Sequence, residues 1–304
     1  MQPYDAGDVW AALHWSTSCT SGREAPRVSG SRPVAVIEAA DGAHLWSTSS
    51  GAGPDLALAH GGPGLWDYLE PLAAELEPYA TVHRWDQRGG GQSDPRGPFT
   101  VDTFISDMDA VRAAAGASRW IAGGHSWGAV LALLYALRHA DQTLGVLYIA
   151  GTGLEWSRWR PLHRAEMERR LGPARWAQLG STSDEREANR LRWSIDYVPE
   201  EIGAPHVERM LDQGFSSNRD CNRALNAELD GDAARLFSGI DDLRIPVLIV
   251  QGAGDPRPVA ACDEFADRLP IVARAVIEGA GHFPWVERPQ EFRGVVTRWL
   301  AELG

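Results

Sequence analysis

The sequence predicts an α/β protein in which a mostly parallel sheet is covered by helices on both faces. From Pro33 onward, short apolar runs alternate with longer amphipathic stretches, which is the pattern of strands joined by helical crossovers. Most of these runs are apolar almost throughout, as expected for strands buried on both faces. A chain of 304 residues with 44% hydrophobic residues can also bury a core of the size that such a fold needs.

Eight runs have the length and the composition of strands. They are residues 34–39, 43–49, 56–60, 81–85, 119–124, 144–150, 246–252 and 273–279. Helical patterns fall between them, at about residues 66–77, 102–115, 127–139, 258–268 and 289–302. The prediction is therefore an eight-stranded, mostly parallel sheet flanked by helices.

The alternation stops between Leu154 and Ile240. This segment carries thirteen arginines, fifteen acidic residues and four tryptophans, including Trp156, and it contains no convincing strand. We expect a helical cap over the carboxyl ends of the strands, where open α/β sheets bind ligands. The predicted organisation is a flexible lead-in (residues 1–32), two parts of one core (33–153 and 241–304) and the cap (154–240).

The net charge and the number of cysteines indicate which partners and which cellular compartment to expect. A net charge of −12 argues against nucleic acid and anionic membrane surfaces, both of which attract clustered positive charge. No stretch approaches the roughly 18 apolar residues of a membrane span. Three separated cysteines predict neither a disulfide framework nor a metal cluster. We expect a cytoplasmic protein without cofactor or metal that acts on a small molecule or short peptide; its oligomeric state is left open.

Residues 124–128, which we call the elbow, read Gly-His-Ser-Trp-Gly and lie between a predicted strand and a predicted helix. In a G-x-S-x-G turn the glycines allow close backbone approach, and the serine oxygen is raised clear of the sheet. Ser126 is therefore the candidate nucleophile. The alternative is a glycine-rich turn in which the serine only caps the helix.

A serine nucleophile needs a histidine base and a carboxylate that orients it. After the elbow, the chain order expected for this arrangement is acid and then histidine. Asp255 follows the predicted strand 246–252, and His282 follows the strand 273–279. Glu155, directly after the strand 144–150, is a competing acid, whereas Asp241 and Asp242 precede a strand and lie at the wrong end of the sheet.

Acyl transfer also requires donors for the oxyanion, and two backbone amides are candidates. The amide of Trp127 follows the nucleophile, and Gly62 lies in HGGPG, residues 60–64, after the third predicted strand. We call residues 60–64 the oxyanion loop. In the glycine-rich loop after the fourth strand, residues 85–95, we expect Asp86 and Arg88 to pair with each other and to brace that loop behind the oxyanion loop.

HGGPG, DQRGGGQSD and GGHSWGAVLAL together resemble the proline iminopeptidase-like branch of the α/β-hydrolase superfamily. The resemblance covers about residues 33–150 and 241–304. It implies a metal-independent serine hydrolase with a helical cap that removes N-terminal residues, often proline, from short peptides. Ser126, Asp255 and His282 match the triad positions of these enzymes.

One departure concerns recognition of the free amino terminus. Such aminopeptidases hold it with carboxylates from the cap and, in one subgroup, with one directly after the catalytic acid, where this chain has Pro256. Glu228 and Trp156 are our candidate substrate-binding residues in the cap. An aminopeptidase is the leading expectation; the alternatives are an esterase, lactonase or tailoring hydrolase of a hydrophobic metabolite, and a noncatalytic binding protein on the same fold.

Overall fold

The computed structural model describes residues 32–303, so the lead-in predicted for residues 1–32 falls outside this range except for Arg32. The described chain forms one eight-stranded sheet in the order β1-β2-β4-β3-β5-β6-β7-β8. Its strands are β1 (Arg32–Glu38), β2 (His44–Gly51), β3 (Asp55–Ala59), β4 (Thr81–Trp85), β5 (Trp120–His125), β6 (Thr143–Ile149), β7 (Val247–Gly252) and β8 (Val272–Ile277). Strand β2 is antiparallel to β1 and to β4, and all other neighbours are parallel. The predicted fold class is confirmed.

Ten helices connect and cover these strands within residues 32–303. They are α1 (Glu70–Leu76), α2 (Val101–Ala115), α3 (Trp127–Arg138), α4 (Trp156–Ser181), α5 (Glu185–Ser194), α6 (Glu200–Asp212), α7 (Arg219–Leu236), α8 (Ala260–Ala266), α9 (Pro284–Glu287) and α10 (Pro289–Glu302). The prediction started the first helix about four residues too early. Asp67 Oδ1 accepts the amide of Leu69, and this local bond competes with helix formation until Pro71 supports the first turn.

Both faces of the sheet are buried, which explains the apolar strands. On β3, Leu56 and Leu58 belong to one buried cluster, which also includes residues of α1 and α10. Ala57 and Ala59 belong to the other cluster, which includes residues of α2, α3 and α8. The alternation of side chains along a strand thus divides one apolar run between two cores.

The segment between β6 and β7, which we predict to be a cap, contains the four helices α4–α7. Helix α4 is interrupted at Gly172, which has a φ of 68° and is followed by Pro173. Apolar residues of α6 and α7, among them Met210 and Leu225, belong to the two buried clusters of the sheet. No helix found between residues 32 and 303 has the length and apolar character required to span a bilayer.

Candidate active site

The elbow joins β5 to α3 by a sharp turn. Ser126 has φ 57° and ψ −119°, a backbone conformation that costs a non-glycine residue energy and is found mainly at functional sites. A Cβ on Gly124 would collide with the carbonyl of Gly128, and one on Gly128 would collide with the carbonyl of Ala59. The two glycines are therefore required by close backbone approach, and the turn places Ser126 at the carboxyl end of the central strand.

His282 and Asp255 lie in the loops after β8 and β7, and the structure brings them together. His282 Nδ1 is 2.6 Å from Asp255 Oδ2, and the side chains are 3% and 1% exposed. Burial lowers the pKa of His282 well below its usual value, and the Arg257 guanidinium lowers it further. The imidazole is thus neutral at pH 7, with Nδ1–H directed at the carboxylate and Nε2 able to accept a proton.

The imidazole of His282 lies beside the elbow. Its ring centroid is 4.4 Å from that of His125, the residue before Ser126. The hydroxyl of Ser126 makes no hydrogen bond to any residue in the range 32–303. A nucleophile–base bond is often long until substrate binds, so the arrangement is compatible with proton transfer between the two side chains.

The competing acids do not reach His282. Glu155 is exposed at the start of α4, and Asp241 forms an exposed ion pair with Arg268 at 2.8 Å. The geometry therefore favours Asp255 as the orienting carboxylate.

The two amides expected at the oxyanion site are both free to donate. Trp127 is the first residue of α3, so its N–H has no intrahelical partner. Gly62, with φ 59°, follows β3; its N–H has no hydrogen-bond partner in the described part of the chain. The neighbouring Gly61 is different, because its amide donates to the hydroxyl of Tyr68 at 2.9 Å.

Gln87 connects the oxyanion loop to the elbow, a role that sequence reasoning missed. Its backbone N–H donates to His60 Nε2 at 3.0 Å, and its side-chain amide donates to the His60 carbonyl at 2.7 Å. Its Oε1 accepts the indole N–H of Trp127 at 2.9 Å. The only sequence signal was the position of Gln87 in a glycine-rich loop at the end of β4.

The expected pairing of Asp86 with Arg88 is wrong. Arg88 is fully buried and donates to both oxygens of Asp107 at 2.6 Å and to Asp41 at 2.8 Å. Asp86 accepts the backbone amides of Asp67 at 2.7 Å and Gln92 at 2.8 Å. The Asp86 carboxylate is satisfied by one amide of its own loop and one from the segment before α1, while the planar Arg88 guanidinium binds two carboxylates with paired donors.

The cap reaches the triad loops through the segment between α5 and α6. Arg257 lies 2.6 Å from Asp196 Oδ1 and 3.4 Å from Asp255 Oδ1, so one cation joins the cap to the acid. The backbone amide of His282 donates to the Asp196 carbonyl at 2.7 Å. Both residues had a weak sequence signal: Arg257 follows the acid by two residues, and Asp196 opens the acidic stretch of the cap at residues 196–201.

Glu287, at the end of α9, is a second link between the cap and the histidine loop. Its carboxylate accepts the amide of Gly281 at 2.7 Å and the amide of Val198 in the cap. Burial raises the pKa of Glu287 to about 7, although these hydrogen bonds act in the opposite direction.

The oxyanion loop is itself attached to the start of α7. The amide of Asn218 donates to the Gly64 carbonyl at 2.8 Å, and the Asn222 side chain donates to the Pro63 carbonyl at 3.3 Å. A Cβ on Gly64 would collide with the carbonyl of Asn218. The loop is therefore held between the cap and the elbow.

The two substrate-binding candidates differ in their surroundings. Glu228 Oε2 accepts the amide of Val101 at 2.8 Å, so this carboxylate caps α2 and is not brought to the triad. Trp156 lies 5.5 Å, between ring centroids, from His163, whose pKa burial and Arg257 lower to about 3. His163 Nε2 is buried without a hydrogen-bond partner in the described chain. Trp156 and His163 thus pack against each other on α4.

A serine on a strained strand-to-helix turn, with a buried His–Asp pair at the ends of later strands, is the arrangement of hydrolases with this sheet. Residues 56–289 match the family model described as the alpha/beta hydrolase fold, and the chain belongs to this family.

Curated relatives include proline iminopeptidases. The one from Xylella fastidiosa (strain 9a5c) is 35% identical over 114 residues, 34% of this chain and 36% of that protein. The match thus spans about a third of this relative's length. The one from Lactobacillus delbrueckii subsp. bulgaricus is 23% identical over 81% of this chain and 89% of that protein.

Solved structures share the fold at lower identity. A meta-cleavage product hydrolase from Pseudomonas fluorescens IP01 has a TM-score of 0.73 at 18% identity, covering 89% of this chain and 98% of that one. The enol-lactonase from Burkholderia xenovorans LB400 has a TM-score of 0.69 at 20% identity, covering 88% of this chain and 100% of that one.

Proposed function

We propose that this protein is a serine hydrolase that works through an acyl-enzyme on Ser126. The observation that carries the proposal is the strained elbow serine beside a neutral His282 whose Nδ1 is 2.6 Å from Asp255. A serine at its ordinary pKa is a weak nucleophile and needs such a base.

In this mechanism, His282 Nε2 takes the proton of Ser126 as Oγ attacks the substrate carbonyl. Asp255 stabilises the imidazolium that forms. The amides of Gly62 and Trp127 bind the oxyanion, and each such donor contributes about 3 kcal/mol in comparable sites. His282 then gives the proton to the leaving group, and a water activated by the same imidazole releases the acid.

The charges near the triad favour a substrate without a free ammonium group. Arg257 and Asp196 form an ion pair, so they add no net negative charge to that of Asp255. Glu228 is used in capping α2, and Pro256 cannot ionise. We therefore favour an ester, a lactone or an amide whose acyl part is uncharged.

Aromatic side chains near the oxyanion loop support an apolar substrate. Trp66 lies two residues after this loop, with its ring centroid 6.0 Å from that of Trp193 and 5.8 Å from that of Phe215. Trp66 thus packs against the cap, and Trp156 lies at the start of α4 in the same segment.

An aminopeptidase, the leading expectation from the sequence, becomes the second candidate. HGGPG, DQRG and the similarity to proline iminopeptidases over 81% of this chain support it.

A turnover screen tests both candidates. p-Nitrophenyl butyrate, a γ-lactone, proline p-nitroanilide and its N-acetyl derivative are compared with the wild type and the Ser126→Ala variant. We expect the ester and lactone to be hydrolysed, and Ser126→Ala to be inactive and to resist labelling by a fluorophosphonate. Hydrolysis of only the free proline anilide would instead establish the aminopeptidase, and full turnover by Ser126→Ala would refute the mechanism.

We also propose that the protein resides in the cytoplasm. Cys221 and Cys262 are buried free thiols, which suits a reducing compartment. Fractionation of the source cells tests this location.

A further inference from the structure

A chain of buried hydrogen bonds runs from the oxyanion loop to the loop of the catalytic histidine. The Gly61 amide is 2.9 Å from the Tyr68 hydroxyl, which is 2.8 Å from His125 Nδ1, and His125 Nε2 is 2.9 Å from the His282 carbonyl oxygen. We propose that Tyr68 and His125 are positioning residues that fix His282 relative to the oxyanion donors. The inference rests on the serine mechanism above.

The partners determine the direction of every bond in this chain. A carbonyl oxygen only accepts, so His125 Nε2 must carry a proton and donate to His282. Burial lowers the pKa of His125 well below its usual value, so the ring is neutral and Nδ1 is an acceptor. The Tyr68 hydroxyl therefore donates to Nδ1 and accepts the Gly61 amide.

Each link is buried and cannot readily be replaced by water. His125 is 1% exposed and Tyr68 is 4% exposed. Loss of one partner would leave a buried polar group unsatisfied, at a cost of about 1–3 kcal/mol. This series of hydrogen bonds thus has one favourable arrangement rather than several.

Ring packing holds the His125 imidazole in place. Its centroid is 4.4 Å from that of His282, 4.9 Å from that of Phe283 and 4.8 Å from that of Trp285. Rotation of this ring would disturb the packing as well as both hydrogen bonds.

The hydrogen bonds affect both the position of the base and the position of the oxyanion donors. The carbonyl of His282 is held by His125, and its amide is held by the Asp196 carbonyl at 2.7 Å. Because Gly61 precedes the proposed donor Gly62, the same chain of bonds positions the base and the oxyanion site. A misplacement of about 1 Å can cost about 100-fold in rate.

The main variant is Tyr68→Phe, which removes the hydroxyl and keeps the ring. Its matched control is Tyr135→Phe, because Tyr135 is also buried but donates to Asp109 at 2.8 Å and lies on α3 beyond the elbow. With p-nitrophenyl butyrate we expect kcat to fall about 10- to 100-fold in Tyr68→Phe with little change in KM. The control should stay within about twofold of the wild type.

Variants of His125 test the second link. The amide of Gln at this position can still donate to the His282 carbonyl, so His125→Gln should retain more activity than His125→Phe. We expect the His282–Asp255 hydrogen bond to give a low-field proton resonance in the wild type and in Tyr135→Phe. This resonance should broaden or shift in Tyr68→Phe and His125→Phe.

Fluorophosphonate labelling of Ser126 separates this inference from the proposed function. If the wild type is not labelled, the serine mechanism fails, and the inference fails with it. If the wild type and folded Tyr68→Phe are labelled at equal rates, the positioning role alone is wrong. Equal activities of His125→Gln and His125→Phe would also overturn it.

Discussion

The sheet side and the cap side of the site are built by different interactions. On the sheet side, the elbow and the triad loops lie at strand ends, and their positions follow from main-chain packing and from buried hydrogen bonds of 2.6–2.9 Å. On the cap side, the contacts run through Asp196, Val198 and Asn218, while much of the remaining cap presents arginine–carboxylate pairs to solvent.

The difference between buried and exposed cap contacts indicates which cap residues belong to the site. Ion pairs at the protein surface contribute little to stability, whereas a buried pair is costly to break. Asp196 is 3% exposed, but Asp212 of the cap has a side chain that is 70% exposed. The cap should therefore matter for catalysis and stability at a few buried residues and hardly at all elsewhere.

The largest expected effect is on the sheet side, at the triad acid. Asp255→Asn should lower kcat by about 10⁴-fold, because an amide favours the wrong tautomer of His282. Glu155→Gln, an exposed carboxylate at the start of the cap, is the control and should leave kcat unchanged. Steady-state kinetics with the substrate found in the screen measures both; a larger loss in Glu155→Gln would reverse the assignment of the acid.

The largest effect on the cap side is expected at Asp196. Asp196→Ala leaves Arg257, whose side chain is 15% exposed, with only its longer contact to Asp255, so the free energy of unfolding should fall by up to about 3 kcal/mol. Chemical denaturation measures the change, with Asp212→Ala as the control from an exposed pair. Equal losses in the two variants would mean that burial does not distinguish the two kinds of cap contact.

Glu287 joins the two sides and should make the stability depend on pH. Its pKa rises from 4.5 to about 7 on folding, mainly through burial. Protonated Glu287 stabilises the folded protein. This contribution to the free energy of unfolding is complete below pH 4.5 and is lost as the pH rises to about 7 and above. A rise of this size corresponds to about 3 kcal/mol.

The free energies of unfolding of the wild type and Glu287→Gln are compared at pH 5 and pH 8. The wild type should lose more stability over this interval than the variant, and the difference isolates Glu287 from the other titrating groups. Parallel pH profiles for the two proteins would contradict the role of Glu287.

The smallest effect is expected at the cap surface. Arg186 lies 3.0 Å from Glu208 and 2.6 Å from Asp212, and all three side chains are more than 40% exposed. Arg186→Ala should leave kcat unchanged and lower the free energy of unfolding only slightly, and the reduction should shrink in high salt. Thermal unfolding at low and high salt tests this; a loss comparable to that of Asp196→Ala would remove the distinction between the two regions.

The parts of the molecule that local patterns control could be predicted from the sequence. Apolar runs indicated all eight strands, and the strand ends put Asp255 beside His282. Contacts between residues far apart in sequence could not be predicted. Tyr68 and His125 are 57 residues apart, and Asp196 and Arg257 are 61 apart, so no local pattern connects them.

The errors have the same origin. Asp86 and Arg88 were paired because they are close in sequence, but the partners of Arg88 lie 19 and 47 residues away. The candidate Glu228 shows the same limit, because its carboxylate accepts the amide of Val101 at the start of α2, 127 residues away. A charge in a sequence indicates that a partner is needed, and only the fold determines which residue it is.

The hydrogen bond from Asn218 to Gly64 limits how this protein can be redesigned. Replacing residues 154–240 by the corresponding segment of a relative would be an obvious route to a new specificity. Such a graft would remove Asn218 and Asn222, which anchor the loop bearing Gly62, together with Asp196, which holds the amide of His282. A chimera would need to keep the Asn222 side chain and a main chain that follows the same path at residues 196 and 218, so less of residues 154–240 can be exchanged than the whole segment.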